Sequence, residues 1–144
     1  MTTLVRHMLV GKAAVHTVGP DDTVLDALRV MAEHNIGAVM VMGDGALVGI
    51  LSERDYARKM VLHGKASHDT DVREVMTPEV VSVSPAWTCD QCMAIMTERH
   101  VRHLPVMEEG RLIGVISIGD VVRAVVQEQQ STISTLENFI MSGG

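Results

Sequence analysis

The chain has 144 residues, a formal net charge of −6, 47% hydrophobic residues and a positive mean hydropathy. This length and apolar content suffice for one compact domain with a buried core. The absence of any Lys/Arg run disfavours broad nucleic-acid binding, which needs a positive face to neutralise phosphates. No apolar run approaches a membrane span, and the N-terminus lacks the pattern of a signal peptide, so we expect a cytoplasmic protein with no nucleic-acid or membrane partner.

The first half of the chain predicts a β-α-β-β-α unit. Thr23 supplies a side-chain oxygen for the free amides of a helix start, and Val24, Ala27 and Met31 then recur on one helical face. Two apolar β-type runs follow, joined by a tight Gly-Asp-Gly turn in which the glycines permit positive φ. The predicted elements are a strand at 15–18, a helix from 24, strands at 38–42 and 46–51, and a helix from Ser52 to about 62.

The second half predicts the same order after a polar segment, which we interpret as a linker. A tail without a counterpart in the first half places Ile133, Leu136 and Ile140 at helical spacing. Such an apolar stripe needs a partner surface, although a lid or a disordered end remain alternatives. The predicted elements are a linker at 63–71, a strand at 80–83, a helix at 88–98, strands at 103–107 and 111–116, and a helix at 118–129.

The two halves are copies of one unit. The sequence GILSERD at 49–55 returns as GVISIGD at 114–120, and many flanking residues return at the same offset of 65. Met8 aligns with Met76 at an offset of 68, which gives the first copy three extra residues near 11–13. A unit of this size buries a core poorly alone, so the repeat predicts two copies that fold together.

Several motifs give the chain a resemblance to tandem cystathionine-β-synthase (CBS) domain pairs, also called Bateman modules. They are VREVMTP at 72–78, RHLPV at 102–106 and the doubled G-x-x-S-x-x-D. The resemblance implies an α+β or α/β fold of two β-α-β-β-α repeats with pseudo-two-fold symmetry. The tail is similar to the end of small stand-alone CBS-pair proteins. The expected organisation is repeat 1 at 5–62, a linker at 63–71, repeat 2 at 72–129 and a C-terminal helical tail at 130–144.

The resemblance also implies a function. In that family, clefts between the copies bind adenosyl ligands, most often AMP, ADP or ATP and sometimes S-adenosylmethionine or NAD, and binding regulates another protein. We therefore expect a non-enzymatic regulatory module that requires no cofactor and modulates an unidentified partner. Family members commonly form disc-like dimers, which implies a homodimer with the tail as a subunit contact. The alternative is a ligand-free interaction or stress-response scaffold.

Each copy of the G-x-x-S-x-x-D motif places a Ser three residues before an Asp at a helix start. One interpretation is a capping box, in which Ser52 with Asp55, and Ser117 with Asp120, satisfy free backbone amides. With the resemblance, the carboxylates would accept hydrogen bonds from ribose hydroxyls, and the serines would bind phosphate at a helix N-terminus. The two interpretations are compatible, and we favour ligand binding for at least one Asp.

Cationic residues distinguish the two predicted sites. Arg102 and His103, beside Pro105, match family positions that reach phosphate, whereas Gly37 and Ala38 occupy the matching positions of the first copy. Arg54 is expected to add a phosphate contact from the other copy. The favoured site therefore uses Asp120, Ser117, Arg102, His103 and Arg54, and the site around Asp55 and Ser52 is weaker in phosphate binding.

Other candidate ligand contacts have equally simple structural explanations. Thr17 and Ser82 hold equivalent strand positions and would either place a hydroxyl near the ligand or face solvent. The expected lining of the base pocket, which sequence alone cannot separate from core packing, is Ile36, Val39, Val101 and Leu104.

Cys89 and Cys92 form a Cys-x-x-Cys motif, which invites a redox or zinc hypothesis. However, they align with Val24 and Ala27 on an apolar helix face, and no second pair completes a four-thiolate zinc site. We therefore favour two buried apolar residues. A thiol-disulfide or metal-dependent enzyme is the minor alternative, and it requires an exposed thiol of low pKa. The seven histidines show no metal-binding spacing, so no metal site is expected.

Overall fold

The computed structural model describes residues 3–141, which form two compact units. We name each unit after the Asp of its repeated motif. Neither unit follows one sequence repeat from end to end, because the short helical segment that precedes each repeat belongs to the other unit. The Asp55 unit comprises Ala14–Val81 and Glu109–Ile113, and the Asp120 unit comprises Ser82–Glu108, the described residues up to Ala13 and those from Gly114 onward.

The secondary structure follows the predicted order in both halves, and the predicted mixed α+β fold with a C-terminal helix is confirmed. In chain order, the elements are helix α1 (Val5–Met8), strand β1 (Thr17–Val18), helix α2 (Val24–His34), strands β2 (Ala38–Gly43) and β3 (Ala46–Ser52), helix α3 (Glu53–Asp55), a π-helical turn (Tyr56–Met60), a 3₁₀ turn (Val61–His63), helices α4 (Val72–Val75) and α5 (Cys89–Arg99), strands β4 (His103–Glu108) and β5 (Arg111–Ser117), and helix α6 (Ile118–Met141).

The Asp55 unit is built on a three-stranded sheet in the order β1-β2-β3. β1 runs parallel to β2, and β2 pairs with β3 in an antiparallel hairpin. Helix α2 begins where the Thr23 hydroxyl accepts a hydrogen bond from the Asp26 amide (3.1 Å), as its capping residue predicts. The apolar faces of these elements meet in one core, which contains Val18, Val24, Ala27, Met31, Val39, Val41, Leu51, Met60, Val72 and Val75.

The Asp120 unit contains helices α1, α5 and α6, strand β4 and the part of β5 from Gly114 onward. β4 and β5 pair in a two-stranded sheet. The strand predicted at 80–83 is reduced to one parallel bridge between Val83 and Val106. The chain leaves the sheet directly after Val83, because the Ser84 hydroxyl accepts a hydrogen bond from the Ala86 amide (3.0 Å) and closes a turn. The pairing therefore does not continue beyond Val83.

The predicted helix at 118–129 and the predicted tail form one continuous helix, α6. No Gly or Pro interrupts residues 120–141, so nothing in the sequence stops the helix at 129. Val121 and Ala124 are buried, whereas Ile133, Leu136 and Ile140 are exposed. Residues 142–144 of the predicted tail lie outside the described part of the chain. Among residues 3–141, no helix combines the length and the apolar composition needed to cross a bilayer.

The helix after the first motif differs from its equivalent in the second copy. A single helix to about residue 62 was predicted, but α3 passes into a π-helical turn and then a 3₁₀ turn. Met60 is fully buried at the end of the π-helical turn, while Val61 and Leu62 are exposed. The change from π-helical to 3₁₀ geometry thus occurs where Met60 enters the core.

The short helices α1 and α4 dock on the two repeats through matching backbone hydrogen bonds. The Val72 amide donates to the carbonyl of Asp22 (2.8 Å), and the Val5 amide donates to the carbonyl of Trp87 (2.8 Å). In each unit, an isolated antiparallel β-bridge lies beside this hydrogen bond: Thr23 pairs with Asp71, and Leu4 pairs with Thr88. Val5 and Val72 are therefore equivalent positions, and they lie 67 residues apart, whereas the two motifs lie 65 residues apart.

This register corrects the sequence alignment of Met8 with Met76. Leu9 is the structural equivalent of Met76, because Met76 packs over Gly49 and Leu9 packs over Gly114. A Cβ added at either glycine would lie 2.5 Å from the side chain above it, so the absence of a Cβ permits this close approach in both copies. The first copy therefore carries two extra residues before β1, not three.

Candidate functional site

The Asp120 carboxylate lies in the first turn of α6 and accepts four contacts. Its Oδ2 accepts hydrogen bonds from the Ser117 amide (2.8 Å) and the Ser117 hydroxyl (3.0 Å), and the Asp120 amide donates back to Ser117 Oγ (3.2 Å). Arg123 donates to Oδ1 (2.6 Å), and the Lys12 ammonium forms a close ion pair with Oδ2. The Asp120 side chain is only 8% exposed. Three of these donors therefore meet at Oδ2 and one at Oδ1.

The Asp55 carboxylate has the same local cap with different outer partners. Its Oδ2 accepts from the amide and the hydroxyl of Ser52 (3.0 Å each), and the Asp55 amide donates to Ser52 Oγ (3.1 Å). Its Oδ1 accepts from the Thr77 hydroxyl (3.3 Å) and pairs with Lys59 (3.2 Å). Both motifs therefore form the reciprocal cap that their spacing predicts, which leaves the ribose-binding interpretation as a prediction.

Lys12 reaches Asp120 through the extra residues of the first copy. The Lys12 amide donates to the carbonyl of Leu9 (3.2 Å), and Gly11 adopts a positive φ of 78°, which closes a turn. The Lys12 ammonium then donates to the carbonyl of Val115 (2.8 Å) as well as to Asp120. Sequence reasoning missed this residue, and its only signal was the insertion near residues 11–13.

The Asp55 unit uses backbone pairing at the equivalent place. Thr77 and Ile50, the equivalent of Val115, exchange two backbone hydrogen bonds of 2.8 and 3.0 Å. Thr77 was also missed by the sequence analysis. Lys59 and Arg123 were missed as well. Lys59 lies four residues after Asp55 and Arg123 lies three residues after Asp120, and such spacings bring side chains together on one helix face, so they were usable signals.

Two pKa shifts set the charges around Asp120. Burial raises the pKa of Asp120, but the hydrogen bonds from Lys12 and Ser117 outweigh it, so the net pKa lies below the ordinary value. Burial lowers the pKa of His103, and the positive charges of Lys12 and Arg102 lower it further against the opposing effect of Asp120. Near neutral pH, Asp120 is therefore a carboxylate and His103 is a neutral imidazole.

The predicted site residues are distributed over both units. The Ile118 amide donates to the carbonyl of Arg102 (2.9 Å), which fixes the start of β4 beside the start of α6. Arg102 is exposed, His103 is half-buried and Pro105 is buried in β4. The Asp120 unit thus holds Asp120, Ser117, Arg102, His103, Pro105 and the exposed Ser82, and the Asp55 unit holds Asp55, Ser52, the exposed Arg54 and the exposed Thr17.

The residues expected to line a base pocket divide by burial. Val39 and Leu104 are fully buried, and Val39 belongs to the core of the Asp55 unit. Ile36 and Val101 are half-buried. Core packing accounts for Val39, and the half-buried pair remains available as a candidate ligand contact.

The Cys-x-x-Cys motif is buried in helix α5. Cys89 and Cys92 have no exposed surface, and burial raises the pKa of both thiols, that of Cys92 to about 11. A reactive thiol needs the opposite environment, exposed and with a lowered pKa. Within residues 3–141, no group of three or more His, Cys, Asp or Glu side chains is arranged to hold a metal ion. The structure thus gives no support to the thiol or metal enzyme hypothesis.

Known proteins that resemble this chain show which family it belongs to. The CBS domain family model matches residues 10–62 and 72–127, so the chain belongs to the CBS-domain family. The chain is 43% identical over 128 residues to the mitochondrial CBS domain-containing protein CBSX3 of Arabidopsis thaliana. The aligned residues cover 85% of this chain and 62% of CBSX3. The chain therefore spans less than two thirds of CBSX3. It is also 35% identical over 126 residues to YhcV of Bacillus subtilis (strain 168), which covers 87% of this chain and 88% of that protein.

Solved structures share the fold. A protein with CBS domains from Burkholderia ambifaria MC40-6 is 46% identical and superposes with a TM-score of 0.85 over 88% of this chain and 96% of that one. The CBS domain pair of protein MJ0100, solved with 5′-methylthioadenosine and S-adenosyl-L-methionine, is 22% identical, with a TM-score of 0.77 over 89% of this chain and 99% of that one. The second likeness shows the fold alone. The prediction of a cytoplasmic location stays a prediction.

Proposed function

We propose that this chain is a non-enzymatic regulatory module that binds an adenosyl ligand, most simply AMP, ADP or ATP, and modulates a partner protein. The observation that carries the proposal is the duplicated, Ser-capped carboxylate, Asp55 and Asp120, within a CBS pair. A protein of the same fold was solved with two adenosyl compounds, which supports this class of ligand. S-adenosylmethionine and NAD are further candidates.

The chemistry of an ionised carboxylate suits the sugar of such a ligand. A carboxylate only accepts hydrogen bonds, and the two hydroxyls of a ribose are donors that meet its two oxygens. The pKa of Asp120 is held below its ordinary value, so this carboxylate is ionised at any physiological pH. Binding of this kind needs a group that stays an acceptor, and Asp120 satisfies that requirement.

The charges of the Asp120 unit favour a phosphorylated ligand there. Lys12 and Arg123 pair with Asp120 at the start of α6, and the Arg102 backbone bonds to Ile118 there. Among residues 3–141, the cation that pairs with Asp55 is Lys59. Burial and the charges of Lys12 and Arg102 lower the pKa of His103, so Lys12, Arg102 and Arg123 are the positive charges near this site without ligand, and the imidazole adds a hydrogen-bond donor. We propose that Asp120 binds the ribose and that Ser117, Arg102, His103 and Arg54 contact the phosphate. The remaining proposed contacts are Asp55, Ser52, Thr17, Ser82 and Pro105.

Regulation would follow from differential affinity. A ligand shifts a conformational equilibrium only by the difference in its affinity for the two states, so its effect depends on which state frees Asp55 and Asp120 for a ribose. The protein that reads this change lies outside the chain. The alternative function, a ligand-free scaffold, predicts that both carboxylates keep their present partners under all conditions.

Calorimetric titration of the purified protein with AMP, ADP, ATP, NAD and S-adenosylmethionine tests the proposal. We expect saturable binding of at least one compound and a loss of AMP affinity of about tenfold or more in Asp120→Asn, which removes a charged acceptor. Asp55→Asn should have a smaller effect on AMP. Asp22→Asn, whose carboxylate accepts from the Gly19 amide away from both motifs (2.7 Å), is the matched control. Absence of binding by all five compounds would favour the scaffold.

We further propose that α6 contacts a second copy of the chain. Its exposed apolar residues recur at alternating steps of four and three, the spacing at which helices pair in coiled coils. Sedimentation should show a dimer for the wild type and a monomer for Ile133→Glu, with the exposed Gln127→Glu as the charge-matched control. A monomeric wild type contradicts the proposal. The residues at this spacing are Val122, Val126, Ile133, Leu136 and Ile140, with Gln129 between them.

A further inference from the structure

We propose that Lys12 selects the charge of the ligand at Asp120, favouring phosphorylated over uncharged adenosyl compounds. This inference rests on the proposed function, because it assumes that ribose hydroxyls bind Asp120. It concerns a residue from the N-terminal turn that no sequence motif singles out. The turn exists only in the first copy, so the second carboxylate, Asp55, provides an internal comparison.

Asp120 accepts from four donors, and three of them meet at Oδ2. These three are the amide and the hydroxyl of Ser117, which are fixed by the cap of α6, and the Lys12 ammonium. Oδ1 accepts from Arg123 and has room for a second donor. Two ribose hydroxyls that bind one to each oxygen therefore reach Oδ2 only when Lys12 withdraws. Withdrawal of Lys12 is thus part of the binding free energy.

The Lys12 and Arg123 side chains differ in how easily they withdraw. Arg123 is 69% exposed, so water can solvate its guanidinium when the ion pair opens. Lys12 is 32% exposed, and within the described residues its other acceptor is the carbonyl of Val115. A partly buried ammonium that loses its anion is destabilised, because its lost charge partner is incompletely replaced by water. Opening the Lys12 ion pair is therefore the larger cost.

The charge of the ligand decides whether this cost is recovered. An uncharged nucleoside takes Asp120 and leaves the Lys12 ammonium without an anion. A ligand that carries phosphate brings a replacement anion, and the flexible four-carbon stem of Lys lets the ammonium follow it. The same side chain thus weakens adenosine and strengthens AMP.

The Asp55 unit lacks this device. Lys59 donates to the carbonyl of Val75 (3.0 Å) and also to the Thr77 hydroxyl (3.5 Å), so it keeps two neutral acceptors when it leaves Asp55. Its side chain is 43% exposed, against 32% for Lys12, so water replaces the lost anion more completely. The other displaceable donor, Thr77, is neutral. Displacing Lys59 therefore costs less than displacing Lys12, and the Asp55 site should discriminate less between charged and uncharged ligands.

The test measures AMP and adenosine affinities by calorimetry in the Asp55→Asn background, which leaves Asp120 as the intact carboxylate. Lys12→Gln should tighten adenosine, weaken AMP and lower the ratio of their affinities by about tenfold or more. Lys12→Arg, which keeps the charge, should retain most of the ratio. The exposed Lys65→Gln is the charge-matched control and should leave the ratio unchanged.

The outcomes separate the two proposals. Binding of AMP with the same ratio in Lys12→Gln as in the Asp55→Asn parent would overturn the role of Lys12 and leave the proposed function standing. An equal fall in Lys65→Gln would also overturn it, because the effect would then come from net charge. Failure of the wild type to bind AMP or adenosine would overturn this inference, and failure to bind ADP, ATP, NAD and S-adenosylmethionine as well would overturn the proposed function with it. Thermal unfolding of each variant verifies that it is folded.

Discussion

Asp55 and Asp120 occupy the same place in the repeated motif but have different surroundings. Each is held by the Ser three residues earlier, with nearly identical distances in the two units. Beyond that cap, Asp55 meets Lys59 from its own helix turn and a neutral hydroxyl, whereas Asp120 meets two cations. Local sequence therefore fixes the cap, and more distant segments fix the electrostatics.

The difference originates in the segments that pack beside each motif. Around Asp55, Thr77 pairs its backbone with Ile50 and directs its hydroxyl to the carboxylate. Around Asp120, a turn takes the place of that pairing and an ammonium donates to Val115 instead. Two additional residues before β1 thus replace a neutral hydrogen-bonded partner with a charged one. A small insertion outside the motif is sufficient to give duplicated sites unequal chemistry.

The largest expected effect concerns the glycines beneath these segments. Gly49→Ala should lower the free energy of unfolding by about 2–3 kcal/mol, because its Cβ would lie 3.1 Å from the carbonyl oxygen of Thr77 as well as against Met76. Gly114→Ala should cost only about 1 kcal/mol, because the flexible Leu9 side chain alone must move. Urea denaturation measures both values.

Gly19→Ala is the control for that comparison, since its Cβ would have no neighbour closer than 3.6 Å. We expect it to change stability by less than about 0.5 kcal/mol. Equal losses for Gly49→Ala and Gly114→Ala would contradict the distinction between a backbone obstacle and a movable side chain.

The ion pairs should differ in their contribution to stability. Lys12→Met should lower the free energy of unfolding by about 1–2 kcal/mol, because Asp120 is nearly buried and loses a cation. Lys59→Met should cost less than about 1 kcal/mol, because Lys59 is 43% exposed. Double-mutant cycles with Asp120→Asn and Asp55→Asn isolate each pair. A larger coupling for the Lys59 pair would reverse the comparison.

The smallest expected effect is a pH dependence confined to the Asp120 unit. The folded pKa of His103 lies below 6.5, so on acidification the unfolded chain takes up its proton first and stability falls. The folded pKa of Asp120 lies below 3.8, so its contribution is complete above 3.8 and is lost as the pH falls through the folded pKa. His103→Gln should flatten the decline below pH 6.5 by less than about 1 kcal/mol.

Urea denaturation at several pH values between 7.5 and 5 gives this slope. Position 38, the first-copy equivalent of His103, is Ala and does not titrate, so the effect has no counterpart in the Asp55 unit. His68→Gln is the control, because His68 is exposed on the other unit. If stability depends on pH equally steeply in His103→Gln and in the wild type, burial does not suppress the protonation of His103.

Most of the fold could be predicted from the repeat. The order of strands and helices, the capped start at Thr23 and the hairpin turns all follow from local residue chemistry. The errors have two origins. The helix after Ser52 changes register where Met60 enters the core, and no local sequence signature marks this change. The strand predicted at 80–83 pairs at Val83 and ends at the Ser84 turn, whose Ser-Pro sequence is a local turn signal that the prediction did not use.

The candidate site was predictable only in part. The Ser and Asp spacing predicted both caps, and the positions of Arg102 and His103 were expected beside one of them. The neutral state of His103 was not predictable, because it depends on burial and on the approach of Lys12. Arg123 lies in the same helix as Asp120, and Lys59 lies in the π-helical turn that continues the helix of Asp55, so both could have been found from their spacing. Lys12 is distant in sequence from Asp120 and could not have been found in this way.

The sequence by itself determined that two β-α-β-β-α copies would form and that each would present a Ser-capped carboxylate at a helix start, because these features depend on residues within a few positions of one another. Only the tertiary structure decided which charges surround each carboxylate. Lys12 lies 108 residues before Asp120, and their contact depends on α1 docking against the second repeat. Local hydrogen bonding is encoded in spacing, whereas the electrostatic environment depends on which distant segments the packed core brings together.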